Sequence, residues 1–152
     1  MTTNANKVLE FHQAIGAAMP EAPIIPDLPI LKLRERLLDE EFRETKEKLA
    51  ALYDLASSPD GQEAAAVVAG LVHELTDLLY VTYGAILALG VDPDTAFAEV
   101  HRANMEKSDG PRRPDGKQLK PAGWQPADVL SVIREQHNTN QQERNANNAP
   151  TY

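Results

Sequence analysis

Five carboxylates carry the chemistry open to this chain. Glu40, Glu41 and Glu44 fall close together in one segment, and Glu74 and Asp77 stand three apart in a later one. Three-residue spacing puts two side chains on one face of an α-helix. With Leu37 as the reference direction, Leu33, Glu40, Glu41, Glu44 and Leu55 all project within about 60° of it, so three acids continue an apolar stripe. Unpaired carboxylates cost roughly several kcal/mol each to bury, and a core face that carries them calls for a compensating cation. Solvated acids paired with Arg36, Arg43, Lys46 or Lys48 are the plainer reading of the first cluster alone. The second cluster weighs against it: Glu74 and Asp77 sit on an otherwise apolar segment, with Gly70 and Gly84 seven residues to either side of Asp77 to leave room. Two helices each presenting acids at i and i+3 make an oxygen-only cage, the ligand set that Mg²⁺ and Mn²⁺ prefer. A ferritin-like di-iron centre would need Glu-x-x-His motifs, which neither cluster supplies.

Helices must position these acids. Val8, Leu9, Phe11, His12, Ile15 and Met19 recur at helical spacing behind an Asn4 cap, which predicts a first helix over 5–18. Pro20, Pro23, Pro26 and Pro29 end it and suit an extended strap. From Ile30 to Ala56 no proline or glycine interrupts a run of helix formers, so a long second helix is expected, closed by the turn Ser57-Ser58-Pro59-Asp60-Gly61. A third helix over 62–89 is apolar on nearly every side and stops at Gly90. It is long enough for a membrane span, but Glu74 and Asp77 at its middle would cost about 2.5–3.5 kcal/mol each there, so it reads as a buried bundle helix. Asp92 and Pro93 cap and start a fourth helix to about Lys107, 108–126 is loop, and 127–136 is a short last helix. The Asn/Gln-rich stretch from His137 to Tyr152 reads as a disordered tail, which makes 1–136 the domain.

With 23 acidic against 15 basic residues the formal charge is −8, which opposes binding to nucleic acid. No cysteine is present, so disulfides, thiolate zinc sites and thiol nucleophiles are excluded. The polar start, Met1 to Lys7, lacks the layout of a signal peptide, and a cytoplasmic location is expected. A hydrophobic content of 42% supports only a modest core for one copy.

Against that acidic background, 107–120 holds five basic residues (Lys107, Arg112, Arg113, Lys117, Lys120) and two acidic ones (Asp109, Asp115). A basic patch beside a metal cage suits a triphosphate. Phe97, Val100, Asn104 and Lys107 share one stripe of the fourth helix, so Asn104 and Lys107 extend an apolar face toward this loop. Trp124 is expected to anchor the loop rather than stack on a base.

Glu40-Glu41-Phe42-Arg43-Glu44, followed by Glu74-Leu75-Thr76-Asp77, resembles the EExxE…ExxD signature of the all-α NTP pyrophosphohydrolases, the superfamily of MazG and the dimeric dUTPases. Between Leu37 and Pro126 the chain is most similar to the dUTPase-like MazG proteins of Deinococcus, particularly in His101-Arg102-Ala103-Asn104-Met105-Glu106-Lys107 and Asp115-Gly116-Lys117-Gln118-Leu119-Lys120-Pro121. The resemblance implies a helical core assembled as a homodimer, Mg²⁺ held by the carboxylates, and hydrolysis of a nucleoside triphosphate, dUTP above all, to monophosphate and pyrophosphate. It assigns Asn104 and Lys107 to substrate contact, with Arg112, Lys117 and Lys120 beside them.

The expectation is therefore an all-α bundle of four to five helices, completed by dimerisation, with Glu40, Glu41, Glu44, Glu74 and Asp77 as metal ligands. Glu40, offset from the other four, is the candidate for taking the proton from the attacking water. A non-catalytic nucleotide-binding or structural dimer that keeps the cage for stability is the alternative from another functional class.

Overall fold

The computed structural model describes residues 2–57 and 64–147. The chain is all-α: α1 (Asn4–Ala14), α2 (Leu28–Ser57), α3 (Ala64–Ala88), α4 (Pro93–Met105), a 3₁₀ turn (Glu106–Asp109) and α5 (Val129–Asn147). Among the described residues there is no strand, and one β-bridge joins Arg112 to Gln118 within the basic loop. All five helices begin within about two residues of their expected positions, and α1 ends at Ala14, short of the expected 18. The cap of α1 shifts by one residue, because the Thr3 hydroxyl accepts from the Asn6 amide. Pro29, read as part of the strap, lies in the first turn of α2, where its missing N–H costs nothing. Most of the expected turn after α2, Ser58 to Gly61, falls outside the described residues.

The backbone of the fold is the α2–α3 pair. Thr45 Oγ1 donates to the Glu74 carbonyl at 3.3 Å, Lys48 passes over Gly70, and Arg34 lies against Gly84. As α2 advances from 34 to 48, α3 therefore retreats from 84 to 70, which makes the pair antiparallel. α1 lies on α3, with the Phe11 and Tyr80 ring centroids 5.7 Å apart and edge-on. Gly90 closes α3 at φ +70°, and a Cβ there would stand 1.9 Å from the Ala22 carbonyl oxygen, so only glycine lets the proline strap pass this close. The strap is tied down at that point by the Ile24 amide bonding to the Leu89 carbonyl at 3.0 Å.

α4 opens on Asp92, whose carboxylate accepts from the Asp94 amide, with Pro93 next, as the sequence predicts. Glu99 of α4 takes bonds from Arg102 and from the Asp128 amide, which hold its carboxyl down to about 2 and fix the start of α5. That helix differs most from expectation. It does not stop at Gln136 but runs to Asn147, so residues 137–147 of the expected disordered tail are helical. Composition misses this because polar contacts dock the helix: Gln136 bonds to the Gly90 carbonyl, Asn140 Nδ2 donates to the Glu21 carbonyl at 2.6 Å, and Arg144 pairs with Glu21 at 3.7 Å.

α3 also departs from expectation. It is long and apolar enough to cross a membrane, with a mean hydropathy of 1.5, yet Glu74 is buried against α2 at its middle. The rest of the helix is not the buried bundle element expected. Within one chain its covered side faces α1 and α2, while Val68, Val72, Leu75 and Leu79 stay exposed.

Candidate metal centre

The antiparallel register brings the two acidic clusters face to face. Carboxylate oxygens of Glu41 and Glu44 on α2 and of Glu74 on α3 all lie within 4.8 Å of one another. Glu74 is the buried member, and Glu41 and Glu44 are half-buried. Burial pushes the Glu41 carboxyl above its ordinary range, and the neighbouring charges of Asp77, Glu44, Glu40 and Glu74 push it the same way. All five expected acids thus converge on Glu41, three as a compact oxygen cluster and Glu40 and Asp77 as its flanks.

Asp77 is less enclosed than its place on an apolar helix suggests. Its side chain is 41% exposed, and His73 Nε2 lies 3.2 Å from Oδ2 one helical turn away. Glu40 is exposed on the outer side of the cluster. Of the two glycines expected to leave room, Gly70 only touches the Lys48 stem, since a Cβ there would meet Lys48 Cδ at an ordinary 3.7 Å. Gly84 does make space, but for Arg34 and His12 rather than for the acids.

Lys48 is a member of this centre that the motif reading left among possible surface partners. Its ammonium stands 3.9 Å from Glu74 Oε1, with the lysine side chain 49% and the glutamate side chain 11% exposed. The signal was in the stripe, because Lys48 follows Glu41 by seven residues and Glu44 by four. Arg43 likewise pairs with Glu44 at 3.2 Å and Glu47 at 3.4 Å, but as an exposed pair worth little. Lys48 and Arg43 against five crowded carboxylates leave a surplus of negative charge, and an all-oxygen donor set in that state fits a hard divalent cation. Glu41, Glu44 and Glu74 would hold it, with Asp77 and Glu40 next to them.

The basic residues gather elsewhere, around Trp124. Its indole N–H donates to the Ala103 carbonyl at 2.7 Å, so the ring anchors the loop to α4. Lys107 and Lys120 both lie over it, at 5.1 Å and 4.1 Å from its centre. Lys107 Nζ also donates to Asn104 Oδ1 at 2.6 Å. Arg112 Nε bonds to the Gly116 carbonyl at 3.2 Å, and Lys117 sits exposed at the turn that Asp115 caps. Among the described residues no hydrogen bond or ion pair joins Asn104, Lys107, Arg112, Lys117 or Lys120 to the five acids.

The family model described as phosphoribosyl-ATP pyrophosphohydrolase matches residues 8–104, well over half of the chain. The match takes in all five acids and ends at Asn104, so the basic loop lies beyond it. No curated protein matches the chain.

Proposed function

Because the chain belongs to the phosphoribosyl-ATP pyrophosphohydrolase family, we propose that it is a magnesium-dependent nucleoside triphosphate pyrophosphohydrolase. The observation that carries this reading is the meeting of Glu41, Glu44 and Glu74 within 4.8 Å across two helices inside the matched region. Bound there, Mg²⁺, or Mn²⁺ in its place, would neutralise phosphate charge and acidify water. Glu40, which is exposed beside the cluster, would take a proton from that water. Lys107 and Lys120, gathered on Trp124, with Asn104, Arg112 and Lys117, would receive the triphosphate's remaining charge.

Two substrates compete. The likeness to dUTPase-like MazG proteins favours dUTP, and the family match favours phosphoribosyl-ATP. Both reactions release pyrophosphate and leave a monophosphate. A panel of dUTP, the four ribonucleoside triphosphates and phosphoribosyl-ATP, assayed with Mg²⁺ for pyrophosphate release, separates them: one of the two should exceed every other substrate by at least about tenfold. Binding without release from any of them would make the chain a non-catalytic nucleotide module instead.

A homodimer is part of the proposal. Exposed Val68, Val72, Leu75 and Leu79 line one side of α3, and a second copy of the same helix offers the matching apolar surface. It also gives the basic lobe a second route to an acidic centre. Light scattering at micromolar concentration should give twice the mass of one chain, and a monomer would contradict it. The reading places the enzyme in the cytoplasm, where nucleoside triphosphates are used, with no nucleic acid or membrane partner.

A further inference from the structure

Arg34 is a guanidinium without a partner. Among the described residues it makes no hydrogen bond or ion pair, and its Nε is buried with no acceptor. Partial burial lowers its pKa from the ordinary arginine value. The chain has made room for this arrangement. A Cβ on Gly84 would stand 3.1 Å from Arg34 Nη1 and 3.1 Å from His12 Cε1, and a glycine inside a helix costs stability relative to alanine. His12 is itself buried, and its Nδ1 lies 2.7 Å from the Val8 carbonyl, so that nitrogen carries the proton and the ring adds no acidic partner for Arg34.

The position relates this group to the acids. Arg34 precedes Glu41 by seven residues on α2, and Gly84 follows Asp77 by seven on α3. Seven residues are about 10 Å of helix and return to nearly the same face. Arg34 therefore stands one layer below the acid cluster on the same seam. There it borders a cavity of about 270 Å³, walled by Ala18 and Met19 ahead of the strap, by Ile24 and Asp27 within it, and by Ile30 and Leu33 of α2. Leu33 belongs to the stripe that leads through Leu37 to the acids. A largely apolar recess with one charged donor, Arg34, and one carboxylate, Asp27, on its wall, a nucleoside's length from the acid cluster, has the make-up of a base or sugar pocket.

We infer that Arg34 is a specificity-determining residue, donating to an oxygen on the nucleoside end of the substrate while the strap and α2 enclose it. The inference rests on the proposed pyrophosphohydrolase reading. The oxygen has two possible sources, a carbonyl of the base or the extra phosphate of a phosphoribosyl group. A buried donor that loses its acceptor discriminates strongly against ligands without one.

Calorimetric binding of monophosphate products tests this without turnover. The probes are dUMP, which carries base carbonyls, phosphoribosyl-AMP, which carries a second phosphate, and AMP, which has neither. Wild type is expected to bind dUMP or phosphoribosyl-AMP at least about tenfold more tightly than AMP, and the preferred probe identifies the source of the oxygen. Arg34→Met should erase that preference, Arg34→Lys should fail to restore it because lysine has no Nε fork, and Gly84→Ala should reduce it by displacing the guanidinium. The inference is overturned if wild type does not discriminate, or if a folded Arg34 variant keeps the wild-type preference. Pyrophosphate release by wild type is read separately, so loss of discrimination in a working enzyme refutes the role of Arg34 alone, and absence of release refutes the reading beneath it.

Discussion

In excess EDTA, pyrophosphate release from the preferred triphosphate is expected to fall at least about a thousandfold, and to return on adding Mg²⁺ or Mn²⁺ but not Na⁺. The size follows from what a bound divalent cation contributes to phosphoryl chemistry, several kcal/mol, at about 1.4 kcal/mol per factor of ten. The direction follows from charge. Four carboxylates crowd around Glu41, and Lys48 at Glu74 and Arg43 at Glu44 offset only part of that charge, so a triphosphate approaching the bare cluster meets like charge at short range. Among the described residues no hydrogen bond or ion pair joins the basic lobe around Trp124 to these acids, so it neutralises none of them directly. Turnover that EDTA leaves undiminished would rule out the metal mechanism.

Glu41→Gln is expected to lower turnover at least about a hundredfold, the scale of losing roughly 3 kcal/mol of stabilisation, while raising the melting temperature of the metal-free protein at neutral pH. The second half comes from the raised pKa of Glu41. The folded protein holds this proton more tightly than the unfolded chain does, so ionising Glu41 penalises the fold. That penalty is absent below the ordinary carboxylate range, grows as pH rises through the unfolded and then the folded pKa, and is complete above both. Glutamine keeps the volume and removes the charge, so variant and wild type should melt alike below about pH 4 and diverge as pH rises. With Mg²⁺ present the order should narrow or reverse, since wild type alone gains fully from binding the cation. A variant that melts well below wild type without metal and keeps its turnover would make Glu41 an architectural residue.

Much of this centre was legible in the sequence because helices convert spacing into direction. Glu41 and Glu44, and Glu74 and Asp77, share faces by their three-residue intervals, and proline and glycine punctuation places the helices that carry them. What sequence could not supply was the register between α2 and α3. That register sets Lys48 beside Glu74 and Arg34 over Gly84, and no local pattern in either helix states which residue lies opposite which. Asp77 was misjudged as enclosed for the same reason: its helix is apolar, but its exposure depends on what packs there, and His73 reaches it from the solvent side. Residues 137–147 were missed because α5 is held by side-chain bonds to distant backbone, Gln136 to Gly90 and Asn140 to Glu21, whereas composition reports only how little apolar surface a segment can bury.

The central claim, that the facing acids of α2 and α3 form a divalent cation site, is tested most directly by titrating Mn²⁺ into the metal-free protein and reading free Mn²⁺ by its paramagnetic resonance signal. Saturable binding in wild type that weakens at least about tenfold in Glu41→Gln is the result predicted here. Wild type that takes up no Mn²⁺ at millimolar concentration, or a Glu41→Gln variant that binds it as tightly, would contradict the claim.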